Sequence, residues 1–439
     1  MYVCSECWEQ QIKWSGQCSS CKVWNSLKQF HEAKISGADK KTGEIQSLSS
    51  LNDLKESKIE RIITSSPELN NVLGWWIVPW SVVLLSGDPW IWKSTITLQL
   101  GSLVTGKIIY ISWEETQHQI SDRAQRLGVK NDNFHVLAES NIENILLTLT
   151  KHNCDILVID SISVMNSSNA TGTSGSVSQV RYITELLVAY AKTTNTAVFV
   201  IGHITKDWSL AGPKTLEHMV DTVLYFEGEK FDDIRILRGL KNRFWSTNEI
   251  GIFKMQENWL VDVTNPGLEF INPWSETVGS SLSITMEWTR PIVVETESLT
   301  TYTKFGYPKR STRWINAAKL DLIIAVISKY TKITLDSHDV YSNIARGLKI
   351  EEPGIDLSLA ASIISSKTGH KIPKESVFIW EISLTGKIKK IIHLEKRIKE
   401  AQKMGFKKII IPHCDIKNIA TKDIELIQIQ SIDQLVQHV

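Results

Sequence analysis

The chain has 439 residues, 42% hydrophobic and 22% charged, with a formal net charge of +1. That length allows two or three domains with buried cores, and the near-zero charge means that any nucleic-acid signal must be local rather than global. No apolar run approaches the ~20 residues of a membrane helix, and Met1-Tyr2-Val3-Cys4 lacks the apolar core of a secretory signal, so a cytoplasmic protein without membrane contact is expected.

The chain opens on two pairs, Cys4-x-x-Cys7 and Cys18-x-x-Cys21, separated by ten residues. Two such knuckles suit four thiolates around one tetrahedral Zn²⁺. The alternative, two disulfides, is disfavoured in a reducing compartment. Four Cys ligands leave no open coordination position, so the metal would be structural. Trp14 and Trp24 are expected to provide apolar cover for this 1–30 module. Residues 31–58 mix Ser, Lys, Glu and Gly without periodicity and read as a linker. Cys154 and Cys414 stand alone and read as core residues.

From 59 to 274 apolar strands alternate with helical patterns, which predicts an α/β domain on a mostly parallel sheet. Strands are expected at Val82–Leu85, Ile108–Ile111, Ile156–Ile159, Val198–Ile201 and Val223–Phe226, with helices at Gln117–Leu127, Ile142–Lys151 and Val177–Thr194. The first strand runs into Gly87-Asp88-Pro89-Trp90-Ile91-Trp92-Lys93-Ser94-Thr95. Strand, tight loop, Lys-Ser, helix is the layout of a phosphate-binding loop, G-x-x-x-x-G-K-[ST], with Trp92 in the place of its second glycine. The ends of the later strands carry polar groups where ligands bind in such sheets. Glu114 and Glu115 follow the second strand, and either could orient an attacking water. Asp160 ends the third and suits Mg²⁺ together with Ser94. His203 and Lys206 follow the fourth, where a γ-phosphate is sensed.

The runs Gly202-His203-Ile204-Thr205-Lys206-Asp207, Leu210-Ala211-Gly212-Pro213-Lys214, Leu216-Glu217-His218 and Lys241-Asn242-Arg243-Phe244 resemble the bacterial RadA (Sms) DNA-repair family. The likeness extends from Cys4 to the region around Pro412. It implies a RecA-like P-loop ATPase core between a four-Cys zinc finger and a Lon-protease-like α+β domain. It further implies ATP and Mg²⁺ at the loop, and single-stranded and branched DNA as partners. A RecA-type recombinase would act beside it in branch migration, and assembly would be as a homo-hexamer. Lys241 and Arg243 take the basic positions of a motif that links ATP state to DNA movement.

Departures from the family pattern are systematic. Tryptophan stands where the family has glycine at 8, 75, 76, 80, 90, 92, 113, 208, 245, 259, 274, 288, 314 and 380, while Trp14 and Trp24 match family tryptophans. The chain holds 16 Trp against 9 Tyr and 11 Phe. Random drift would also scatter to Ala, Ser and Asp. Left-handed backbone costs a non-glycine residue roughly 1–2 kcal/mol; were half of the fourteen left-handed, the sum of about 7–14 kcal/mol would rival a domain's stability of about 5–15 kcal/mol. The pattern therefore points to a codon, UGA, that means glycine in the source organism. If the tryptophans are real, the expectation becomes a non-hydrolysing DNA-binding scaffold.

Beyond 275, helical spacing recurs at Leu320–Tyr330 and Ile355–Ser366, and Ile350–Gly369 with Glu381–Gly386 resembles the Lon protease domain. That peptidase uses a Ser activated by a Lys. Here Gly354 takes the serine position and Glu395 the lysine position, with Lys396 next to it, so proteolysis is not expected. Between Thr385 and Lys408 nine Lys or Arg stand against two Glu. This is either a solvated basic face or a contact to the phosphate backbone.

Overall fold

A computed structural model describes residues 2–4, 10–11, 13–19, 21–24 and 26–29 near the start. Further on it describes 61–87, 92–129, 132–202, 216–228, 233–257, 259–269, 271, 277–287, 289–304, 306–345, 350, 352–373, 375–389, 391–413 and 424–439. The chain divides into two compact units, Met1–Lys58 and Ile59–Val439.

In the first unit, strands Tyr2–Cys4, Gln10–Gln11 and Leu27–Gln29 form an antiparallel sheet with Tyr2–Cys4 in the middle. Cys18 and Cys21 lie on one tight turn, closed by the Lys22 N–H donating to the Cys18 carbonyl at 3.0 Å. Cys18 is buried and Cys21 half-buried. Cys7 and the 31–58 stretch lie outside the described residues. Trp14 and Trp24 do not cover this module as expected: they are 57% and 70% exposed.

The second unit is built on a nine-stranded sheet. Its order is Trp259–Asp262, Ile250–Gln256, Ile234–Asn242, Thr222–Glu227, Val82–Gly87, Ala197–Ile201, Ile156–Asp160, Ile108–Ser112, Phe134–Leu137. The six strands from Thr222–Glu227 onward are parallel, and the three before it are antiparallel. The central strands are continuous apolar runs because both faces are covered. One face packs through Leu85, Ile96, Leu98 and Tyr110, the other through Leu84, Ile159, Val180 and Ile183. Local chemistry sets the helix ends. Ser66 caps the Pro67–Leu73 helix, which stops at left-handed Gly74, and Thr116 with Gln119 forms a capping box on Gln117–Arg126.

A second, seven-stranded mixed sheet follows, ordered Arg310–Arg313, His338–Ile344, Arg290–Tyr302, Ser280–Glu287, Ser376–Phe378, Lys408–Pro412, Glu425–Ile429. Helix Asp356–Thr368 lies close on it because its facing residues are small: Ser358 and Ser362 hydrogen-bond Thr296 and Ser298, each at 2.7 Å. The hydrophobic core of this half takes in Ile234, Ile236, Ile250 and Ile252 from the first sheet. The two halves are therefore continuous across the 274/275 position. Polar contacts reinforce the junction. Arg290 forks onto Glu68, one arm at 2.9 Å, and Arg238 bonds Glu227 and Glu287 at 2.7 Å each. Burial by itself would weaken Arg238 as a cation, but the two carboxylates outweigh it and raise its pKa.

Nine of the fourteen tryptophans that stand at family glycines fall among the described residues: Trp75, Trp76, Trp80, Trp92, Trp113, Trp245, Trp259, Trp314 and Trp380. Four have left-handed backbone, with φ of 77°, 63°, 64° and 67° at Trp75, Trp80, Trp92 and Trp314. By the same penalty this is about 4–8 kcal/mol of strain. Trp380 is fully buried, and its indole N–H has no hydrogen-bond partner, a further cost of about 1–3 kcal/mol.

The Glu68–Arg290 fork predicts a stability effect. Glu68 is buried and keeps only the Ile252 N–H, at 2.9 Å, when Arg290 is removed. Arg290→Ala should cost about 3–5 kcal/mol, read as a lower urea midpoint. An unchanged midpoint would show that the Glu68–Arg290 fork does not hold the junction.

Candidate nucleotide site

The parallel strands place Gly87, Ser112, Asp160 and Gly202 at one edge of the sheet. Strand Ala197–Ile201 runs between the Val82–Gly87 and Ile156–Asp160 strands, and the Gly202 N–H donates to the Leu85 carbonyl at 3.0 Å. At Gly87 (φ 151°) a Cβ would sit 2.6 Å from the Phe226 carbonyl oxygen, so only glycine fits there. The helix begins at Lys93, and Trp92 is its N-cap in left-handed conformation. N-cap residues are ordinarily extended, so this entry also asks for glycine. The Trp92 side chain is 42% exposed. Asp88, Pro89, Trp90 and Ile91 lie outside the described residues, as do His203 and Lys206.

Lys93 is buried, and its Nζ donates to the Gly87 carbonyl at 2.9 Å. Ser94 and Thr95 follow in the first turn, where the helix dipole favours phosphate; the Thr95 N–H donates to the Trp92 carbonyl at 3.0 Å. Asp160 is buried at its strand end, with Oδ2 accepting from the Tyr110 phenol. The two acidic candidates separate clearly. Glu114 accepts from the Ser161 hydroxyl at 2.6 Å, beside Asp160. Glu115 is tied to Arg123 at 2.7 Å. A Mg²⁺ ion needs one or two carboxylates and otherwise phosphate and water oxygens, and Asp160 with the Ser94 hydroxyl fits that requirement. Among the described residues no three His, Cys, Asp or Glu form a metal cage. Cys7 is not described and Cys4 only in its backbone, so the expected zinc set is represented by the Cys18–Cys21 turn alone.

Lys241 and Arg243 do not reach this edge. Lys241 Nζ donates to the Glu217 and Val220 carbonyls, the second at 2.8 Å. Burial, and then the Arg243 charge, lowers its pKa. Arg243 bonds Asp221 at 3.1 Å and the His218 carbonyl at 3.3 Å. The other Asp221 oxygen takes the N–H of Val82 at 3.1 Å, the first residue of the strand that ends at Gly87. The basic motif is thus joined through one carboxylate to the root of the phosphate-loop strand.

In the C-terminal half, Gly354 is buried, and a Cβ on it would meet Arg397 and Glu352, each at 2.9 Å. Arg397 is fully buried, bonded to Glu352 and to the Ile284 carbonyl. Glu395 is paired with Lys399 on the surface at 2.7 Å, and Lys396 reaches the Thr289 carbonyl at 3.3 Å. No Ser–Lys pair forms at this point. The basic run is also less free than its letters suggest. Arg397 is inside, and Lys389, Lys399, Lys403 and Lys408 face Glu381, Glu395, Glu400 and Glu425 within 4.0 Å. Cys154 is half-buried, its thiol pushed up to about 11 by burial, and so inert; Cys414 lies outside the described residues.

Sequence reasoning missed Tyr110, Ser161 and Asp221. Tyr110 reads as one apolar letter in a buried strand. A hydroxyl there, two residues before the strand end, was the available signal.

Two family models match parts of the chain: an AAA domain over residues 49–209, and subunit ChlI of Mg-chelatase over residues 308–415. Among solved structures, the RadB recombinase is similar with a TM-score of 0.36 and 20% identity, covering 45% of this chain and 98% of that one. The DNA repair protein RadA of Listeria monocytogenes is 42% identical over 440 residues, covering 99% of this chain and 96% of the relative. The protein of the same name from Bacillus subtilis is 40% identical, covering 98% and 96%. With such identity over nearly its whole length, the chain belongs to the RadA family of DNA repair proteins.

Proposed function

We propose that this protein is a DNA-dependent ATPase that processes recombination intermediates by branch migration, acting on single-stranded and branched DNA beside a RecA-type recombinase. The observation that carries the reading is the convergence of Lys93, Glu114 and Asp160 at one sheet edge, around a loop whose backbone turns left-handed just before the lysine. Lys93 binds the β- and γ-phosphates, and the N–H groups of the following turn hold the remaining phosphate oxygens. Glu114, steadied by Ser161, orients the attacking water in line with the γ-phosphate. Mg²⁺, held by Ser94 and Asp160, neutralises charge on the phosphates when bound. His203 and Lys206 sense the γ-phosphate. Lys241 and Arg243 pass the nucleotide state to DNA through Asp221 and the strand it anchors. Cys4, Cys7, Cys18 and Cys21 hold a structural Zn²⁺, the assembly is a homo-hexamer, and the Lon-like half is an assembly and DNA-binding platform without peptidase activity.

The same reading includes glycine, in the protein as its host makes it, at the fourteen tryptophan positions. The left-handed backbone at Trp75, Trp80, Trp92 and Trp314 and the orphaned indole of Trp380 support it. In the gene, Trp14 and Trp24 should be UGG and the other fourteen UGA. Peptides of the native protein should carry the glycine mass at those fourteen sites. A mixture of the two codons among the fourteen would sink the idea.

Two enzymatic outcomes follow. In the glycine form, Lys93→Ala should lower the ATP hydrolysis rate by about 100-fold or more. Glu114→Gln should lower it by about 100-fold or more with ATP still bound, whereas Glu115→Gln should change it by less than about threefold, since its carboxylate is held on Arg123 and not beside Asp160. A large loss at Glu115 with none at Glu114 would reassign the water-orienting carboxylate.

A further inference from the structure

Tyr110 is the largest polar side chain buried behind the nucleotide edge, and the roles above leave it unused. It is fully buried in strand Ile108–Ser112. Its phenol lies between two parts of the site that no backbone bond joins. On one side it donates to Asp160 Oδ2. On the other lies Thr97, whose hydroxyl donates to the Lys93 and Ser94 carbonyls at 3.2 and 3.1 Å. A phenylalanine would fill the same apolar space against Phe134, whose ring centroid is 6.0 Å away. The hydroxyl is therefore not explained by packing. A donor fixed on one carboxylate oxygen leaves the other oxygen aimed by the chain, not by solvent. A bond to a charged acceptor is stronger than one between neutral groups.

We infer that Tyr110 is a positioning residue for the metal-bound nucleotide: its phenol locks Asp160 in the rotamer that receives a divalent cation. The inference rests on the ATPase reading and adds a residue to it. Tyr110 touches neither nucleotide nor metal. Its effect should appear only in what the metal adds to nucleotide binding.

The test is a titration of a fluorescent ATP analogue onto the full-length glycine form and its Tyr110→Phe variant, first in EDTA and then at increasing Mg²⁺. Tyr110→Phe should bind the metal-free nucleotide within about twofold of the parent. It should need about tenfold more Mg²⁺ for the same gain in affinity, as expected for loss of one bond to a charged group. Phe134→Leu, which loosens packing on the same ring without touching the hydroxyl, should leave the Mg²⁺ requirement unchanged. An unchanged Mg²⁺ requirement in Tyr110→Phe would overturn the inference, as would an equal loss of metal-free binding, which would make the tyrosine merely structural. A parent protein that binds no nucleotide would fail the ATPase reading itself, and the inference with it.

Discussion

The backbone must enter the first helix of the nucleotide core from the left-handed region, and the rest of the site depends on that entry. Gly87 leaves the strand with no room for a Cβ, and five residues on residue 92 turns the chain into a helix at φ 64°. This reversal brings Lys93 back under the strand end, with its Nζ on the Gly87 carbonyl. The residue 92 side chain is 42% exposed. The conformational cost stays.

Around this entry the sheet acts as a ruler. Register places Ser112 beside Asp160, so Glu114 and Ser161 meet just past the strand ends. The inserted strand Ala197–Ile201 keeps Asp160 one strand away from the phosphate loop, which leaves width for a nucleotide's phosphates. On the other flank Thr222–Glu227 pairs directly with Val82–Gly87, and Asp221 at its root collects both the Val82 N–H and Arg243. Strand Ile234–Asn242 carries Arg238 at the junction with the C-terminal half and Lys241 near its end. One strand therefore bears both the junction contact and the basic motif, which gives a physical route between them without a moving hinge.

Much of this was legible in the sequence. Five of the six parallel strands follow from apolar runs, Phe134–Leu137 being missed; the Lys93 position follows from the phosphate-loop spacing, and Glu114 and Asp160 from acidic letters at strand ends. The three antiparallel strands between Ile234 and Asp262 were not read as strands. Their outer residues face a second core rather than solvent, so Ile234, Ile236, Ile250 and Ile252 lack an alternation that points to one sheet. Glu114 and Glu115 are identical letters, and only tertiary partners, Ser161 for one and Arg123 for the other, tell them apart. The basic run after Thr385 misled in the other direction, because a charge count cannot show that Arg397 is buried on Glu352. The tryptophans were legible as an anomaly of letters, and the backbone gives that anomaly a physical cost at four of them.

The central claim is that residue 92 must be glycine for this loop to work. It is tested most directly by measuring ATP hydrolysis, with and without single-stranded DNA, for two forms of the full-length chain: one with glycine at all fourteen positions, and one that differs only in keeping Trp92. The account predicts DNA-stimulated hydrolysis in the first and a loss of about 100-fold or more in the second. Equal activity in both forms would contradict it.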